Sequence, residues 1–581
     1  MRIAAVRAQG LRRNAASRVL GSPLMRWRYG LGAAHALVTV PQCLRTADPS
    51  FWPEVESGHF GLAGSVVLLA EGLSVFDVEP PGEAWLRALH GFGWLRHLEA
   101  AGDPDAEEAA RDEVMNWLQF HRAAKGVAGT PAVRARRIIS WISHAPIILD
   151  GATVAEFDGF ARGLSREVLQ LSGTWRNASE GYDRLLGLTA LVMAHLAIKG
   201  QERQLRSALA RLDAEIERQI LSDGGHVSRN PSVLIELLLD WLPLKSYFDA
   251  RRQPPPETLT GAISRMLAML RFLRMGDGGI ARFNGMGVGD PAGLATLLAY
   301  DDRVTTRFSI APASRYARLE AHATIILADA GPPPPLRVSG EAHAGSLAIE
   351  VSVGQALLFV NAGAPGPADI AWRAVSRATA SHSTVCLGEI SSSRLVRHAG
   401  LEAILGAVPL QLPAKVTARL DVDGGEVVFE ASHDGYLQRL GLIHRRELRL
   451  SADGVRLAGT DWLETKGGQD RLRRDIPFSI HFHLHPESDC TPLVSPDRTA
   501  ADSPILIRLR NGQRWLFEAS GARVGLEEST FFAGSSGPRA SLQIVLRGAT
   551  GGSSEVRWSA NLLIDPPQTV AAHAEIEGPT P

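Results

Sequence analysis

The chain has 581 residues, with 61 Lys and Arg against 62 Asp and Glu, and three cysteines. Such a length supports roughly two to four domains with sizeable cores, and a net charge of −1 excludes a generally basic nucleic-acid binder. Cys43, Cys386 and Cys490 lie far apart without a Cys-x-x-Cys pair, which excludes a zinc ribbon and a disulfide-stapled mini-domain.

In chain order, residues 1–81 form a lead-in whose first 29 residues are basic. The apolar run Leu31–Val40 is short, carries His35 and lacks a small-residue cleavage site, so it is not read as a signal peptide and leaves export undecided. No run of eighteen apolar residues is free of charge and proline, so no transmembrane segment is expected. From residue 82 to about 325 apolar residues recur at helical spacing, and residues 82–330 read as a helical domain. Its candidate helices are 83–101, 106–123, 133–149, 153–174, 184–199, 202–221, 231–244, 257–275 and 291–301. Periodicity alone leaves a bundle, a solenoid or an α/α toroid open.

Gly331-Pro-Pro-Pro-Pro335 cannot continue a helix, and beyond it the apolar period becomes two. Leu347, Ile349 and Val351 alternate with Ala348, Glu350 and Ser352. Turns at Asp423-Gly424-Gly425 and Ser451–Gly454 divide further strands, and residues 336–575 read as an antiparallel β-sandwich.

Several polar clusters stand out. His481, His483 and His485 share one face of a strand by period two, a geometry for a metal or for ordinary half-buried histidines. His343, Asn361 and His382 stand at strand ends that could meet at a sheet rim; the plainer reading is unrelated loop residues. Asp223-Gly-Gly-His-Val-Ser-Arg-Asn-Pro231 and Gly276–Gly285 are glycine-rich interhelical loops; from the first, His226 and Arg229 would project at a rim where a polyanion could lie, and the second lacks the context of a phosphate loop. No nucleophile elbow appears, and Asp301-Asp302 supports no glycosidase assignment. Five of the cationic residues are lysines and the rest arginines, whose planar fork suits an anionic ligand; compositional bias is the better explanation for most of them.

Together these segments resemble the heparinase II/III-like family. The resemblance is most specific at Leu44–Pro49, Gly91–Arg96, the 223–231 loop, Arg282–Gly285, His343–Val351, Phe359–Gly363, Arg377–Thr384, His433–Tyr436 with His444–Arg446, and Phe482–Pro486. It implies an α+β multidomain chain, an N-terminal (α/α) toroid followed by a C-terminal antiparallel β-sandwich. It also implies a polysaccharide lyase that β-eliminates uronate-containing glycans, with an acidic polysaccharide as partner and a periplasmic or cell-envelope location. Elimination needs a group that neutralises the uronate carboxylate, a base for the C5 proton and an acid for the leaving oxygen.

Carried across by position, the resemblance puts Glu341 where the family has a catalytic histidine and Val233 where it has a tyrosine. Tyr182, His226, Glu341 and His382 are the candidate catalytic residues, and Arg184, Arg229, Arg282 and Asn284 the candidate glycan contacts. His343, Asn361 and His382 would hold one zinc ion weakly, Asn361 replacing an aspartate. Two functions follow: a lyase on an acidic glycan in the cleft between toroid and sandwich, or a catalytically degenerate glycan-binding or envelope scaffold of the same fold.

Overall fold

Among the described residues, a proline is the first residue of helices Pro104–Asn116, Pro131–Ser143, Pro231–Ala250 and Pro291–Ala299, where a missing N–H costs no intrahelical bond. Asp103, Asn230 and Asp290 cap three of them by accepting backbone N–H groups, and Thr153 with Glu156 closes a capping box on Val154–Thr174. The structure is a computed structural model that describes residues 40–563 apart from 71, 122–125, 301–307, 397–407, 466–474, 494–502 and 552–553. The basic N-terminus, most of the Leu31–Val40 run and Asp301-Asp302 lie outside the described residues.

Helix Tyr182–Ala197 is buried on nearly every side because it packs on Val154–Thr174, Pro131–Ser143, Glu202–Gln219 and Pro231–Ala250. The expected helix 83–101 breaks at Phe92, whose φ of +57° is left-handed, and continues as Leu95–Ala101. Phe92 is fully buried against Trp94, Trp117 and Trp141, an aromatic cluster that fixes this bend.

Beyond the helices the chain is antiparallel. One sheet of eight strands runs Asp489–Pro492, Ile505–Arg508, Arg514–Ser520, Ser554–Leu562, Arg456–Thr465, Leu442–Leu450, Glu426–His433 and Val416–Asp423. Facing it are two four-stranded sheets. One orders Arg523–Phe531, Arg539–Thr550, Ile476–His483 and Val385–Leu387; the other orders Tyr316–Ala321, Thr324–Asp329, Ile349–Val353 and Ala356–Phe359. A bridge between Val360 and His483 joins these two. The core between the layers centres on Phe359, Phe482, Phe517 and Trp558.

Strands Tyr316–Ala321 and Thr324–Asp329 precede the proline linker, so the stretch read as helical to about 325 turns to strand at 316. The helical and sheet parts meet closely at Gly276, whose N–H donates to Ser352 Oγ at 2.9 Å. A Cβ on Gly276 would lie 1.9 Å from the carbonyl oxygen of Gly354, so only glycine fits there.

Candidate functional site

Two polar networks lie along this junction, and the predicted residues divide between them. The first surrounds the start of helix Tyr182–Ala197, where Gly181 has a φ of +100°. A Cβ on Gly181 would sit 3.7 Å from His226 and 3.5 Å from Val338, so this helix start abuts the 223–231 loop and the segment after the linker. The Tyr182 hydroxyl accepts a hydrogen bond from Arg136 Nη2 at 2.8 Å and reaches Glu236 at 3.4 Å. Arg136 is in turn bidentate to Asp240, which also accepts from Arg45 at 3.3 Å; Arg45 pairs with Glu236 at 2.8 Å. Burial, reinforced by Glu236 and Asp240, raises the Tyr182 pKa against the opposing pull of Arg136 and Arg45, so the phenol keeps its proton at neutral pH.

Beside it, His226 is 1% exposed and bonded through both ring nitrogens, Nδ1 to Ser228 Oγ at 2.7 Å and Nε2 to Gln219 Oε1 at 3.0 Å. Arg184 pairs with Glu180 at 3.3 Å, which also takes Arg337 at 3.1 Å.

The second network links Arg229, Asn284, His343 and His382. Arg229 pairs with Asp329 at 2.5 Å and donates to the carbonyl oxygens of Ser314 and Pro332. Asn284 donates to the other Asp329 oxygen at 3.1 Å and to the Tyr316 hydroxyl at 3.0 Å, while its own oxygen accepts from His343 N–H at 3.4 Å. His343 Nδ1 and His382 Nε2 share a hydrogen bond of 2.9 Å, and His382 Nδ1 donates to the Ala378 carbonyl at 2.8 Å. Asn361 is fully buried, and its oxygen accepts the Ser383 N–H at 3.0 Å. At the margin, exposed Glu341 pairs with Arg373 at 2.6 Å, and Arg282 lies 3.5 Å from buried Glu350 and over the Phe531 ring. His481 and His483 do stack on one strand face, but their ring nitrogens bond Ser479, Gln543, Ser529 and the Ala380 carbonyl.

A family profile described as heparinase II/III-like, C-terminal, matches residues 303–559. FtsZ-localized protein C of Caulobacter vibrioides is 30% identical over 474 residues, 81% of this chain and 81% of that one. The chain belongs to the heparinase II/III-like family. Among solved structures, heparinase III superposes with a TM-score of 0.70 at 12% identity, covering 97% of this chain and 91% of that one. A heparan sulfate lyase HepC mutant from Pedobacter heparinus gives 0.61 at 14%, covering 96% and 90%. These likenesses show the fold, a helical toroid followed by a β-sandwich.

The heparinase II/III-like frame shows which polar residues the sequence reading passed over. Arg45, Arg136, Glu236 and Asp240 surround Tyr182 yet come from three distant segments. The available signal was Asp240, a carboxylate inside a helix apolar on nearly every side, which demands a buried cation. As for zinc, His343 and His382 direct nitrogens at each other while the Asn361 oxygen is committed to Ser383. That arrangement falls short of the roughly four donors of a closed structural zinc site.

Burial lowers the His226 pKa to about 3. The unfolded chain, with a histidine pKa of about 6.5, therefore takes up a proton that the native state refuses. The resulting stability is complete above about pH 6.5 and is lost as pH falls toward the native value. Between pH 7 and pH 5 the stability gap between the native sequence and His226→Gln should narrow by about 1–2 kcal/mol, measured by urea unfolding at both pH values.

Proposed function

We propose that this chain is a non-catalytic member of its family, a scaffold that associates with FtsZ assemblies and keeps the toroid–sandwich frame without eliminating uronate. One observation carries the reading: the candidate catalytic groups are engaged in internal hydrogen bonds. His226 has both nitrogens bonded, His343 and His382 bond each other, and Tyr182 is held between Arg136 and Glu236 with its pKa raised. A base for the C5 proton needs a free lone pair facing substrate and a pKa near the working pH. Exposed Glu341 retains access to solvent, but its carboxylate is paired with Arg373. The relative at 30% identity, named for its FtsZ localisation, supports the same reading.

A second reading, a lyase acting on an acidic glycan, is favoured by the frame shared with heparinase III. Purified protein mixed with a panel of uronic-acid polymers should produce no rise in the ultraviolet absorbance of unsaturated uronate, and should pellet with polymerised FtsZ. Unsaturated product from any polymer establishes the lyase reading in its place, and a protein left in the supernatant refutes the FtsZ association.

A further inference from the structure

We infer that Cys43 is a peroxide-reactive thiol site, in which the sulfur, the His144 imidazole and the Glu99 carboxylate form a relay at the wall of an arginine-lined cavity. The three residues come from separate elements: the segment leading into the toroid, the cap between helices Pro131–Ser143 and Ala145–Leu149, and helix Leu95–Ala101. Glu99 Oε2 lies 2.6 Å from His144 Nδ1, and His144 is nearly fully buried while Cys43 keeps partial exposure. Cys43 and His144 line the same cavity, where the imidazole and the Arg45 backbone N–H both act on the thiol. This is the arrangement of an activated thiol: a nucleophile, a base against it and a carboxylate orienting the base.

The electrostatics agree with the geometry. Burial alone would raise the Cys43 pKa, but the hydrogen bond and charge of His144, with the N–H and charge of Arg45, outweigh it and lower the thiol. Burial disfavours the imidazolium, yet Cys43 and Glu99 raise His144 to about 9. Both shifts favour a thiolate–imidazolium pair. Cys386 and Cys490 are pushed the other way by burial, to about 11 and about 12.

The cavity sets the size of the reactant. Cys43, His144, Arg45, Arg96 and Arg136 line about 30 Å³, room for roughly two water molecules. A dioxygen species such as hydrogen peroxide fits; a sugar does not. Arg45 and Arg136 are tied to Asp240, and Arg96 is held by the carbonyl oxygens of Thr46 and Gly93. In the reaction the thiolate attacks one peroxide oxygen, the O–O bond breaks and an S–O bond forms. Sulfur is oxidised by two electrons to sulfenic acid, and the departing hydroxide takes the imidazolium proton of His144 and leaves as water.

The test is dimedone trapping on the full chain treated with hydrogen peroxide at pH 7, read by peptide mass spectrometry. Cys43 should label at least about tenfold faster than Cys386 and Cys490, and faster than Cys43 in the urea-unfolded chain. His144→Gln should slow Cys43 labelling about tenfold. Glu99→Gln, at a more exposed position, should slow it a few-fold and serves if the first variant does not fold. Cys43 labelling no faster than in the unfolded chain, or at the native rate in the folded variants, overturns the proposal.

Discussion

Replacing Arg446 with methionine should lower the unfolding free energy by about 3–5 kcal/mol, because it strands a buried carboxylate. Arg446 and Asp461 are both fully buried between the sheet layers. Nε and Nη2 of Arg446 fork onto the two Asp461 oxygens at 2.7 and 3.1 Å, which also accept from His444 at 2.7 Å and Trp558 Nε1 at 3.0 Å. Arg446 Nη1 donates to the carbonyl oxygens of Leu347 and Ser383, both at 3.0 Å. The guanidinium thus ties the eight-stranded sheet to the two segments that present His343 and His382. Burial would raise the Asp461 pKa, but Arg446 and His444 hold it far below the usual carboxylate range. Without Arg446 that carboxylate loses its principal cation. The double variant Arg446→Met with Asp461→Leu should recover part of the loss, because the orphaned charge is gone. Urea midpoints followed by tryptophan fluorescence measure both; a single variant within about 1 kcal/mol of the native chain contradicts this account.

How far the sequence speaks depends on whether a contact leaves a local pattern. The hairpin at Asp423-Gly424-Gly425 was legible because its two glycines adopt φ of +58° and +88°, conformations that side chains resist. The strand Thr324–Asp329 was not, because it is buried on both faces and so shows no alternation. The same rule governs the site. His481 and His483 share a face because their spacing dictates it. Tyr182, Arg136, Asp240 and Arg45 meet through the packing of separate segments, and no spacing along the chain encodes that. The resemblance supplied the fold and the loops, but residue types alone do not say whether a histidine faces a cleft or a glutamine. For His226 the partner is Gln219, at the end of the preceding helix.

Arg229 separates docking from substrate recognition most sharply. It stands in a loop the resemblance gave to glycan contact, yet its side chain is 6% exposed. Its guanidinium meets Asp329 and three carbonyl oxygens, those of Ser314, Gly331 and Pro332, and lies over the Tyr316 ring at 4.6 Å. Its φ of +57° shows a backbone held in the left-handed region by these contacts. Arg229→Ala should therefore destabilise the chain by about 3–5 kcal/mol, leaving Asp329 buried without its cation. Arg229→Lys should recover only a minor part, since a single ammonium cannot reproduce a fork bonding in several directions. A surface arginine reserved for an anionic glycan would behave otherwise: its loss would leave unfolding within about 0.5 kcal/mol and weaken binding alone. Urea unfolding of both variants, with binding to a uronic-acid polymer measured on the folded fraction, decides between these roles. Because Asp329 ends a sandwich strand and Arg229 lies in the loop that leads into helix Pro231–Ala250, the loss should lower the unfolding midpoints of the helical and sheet parts together.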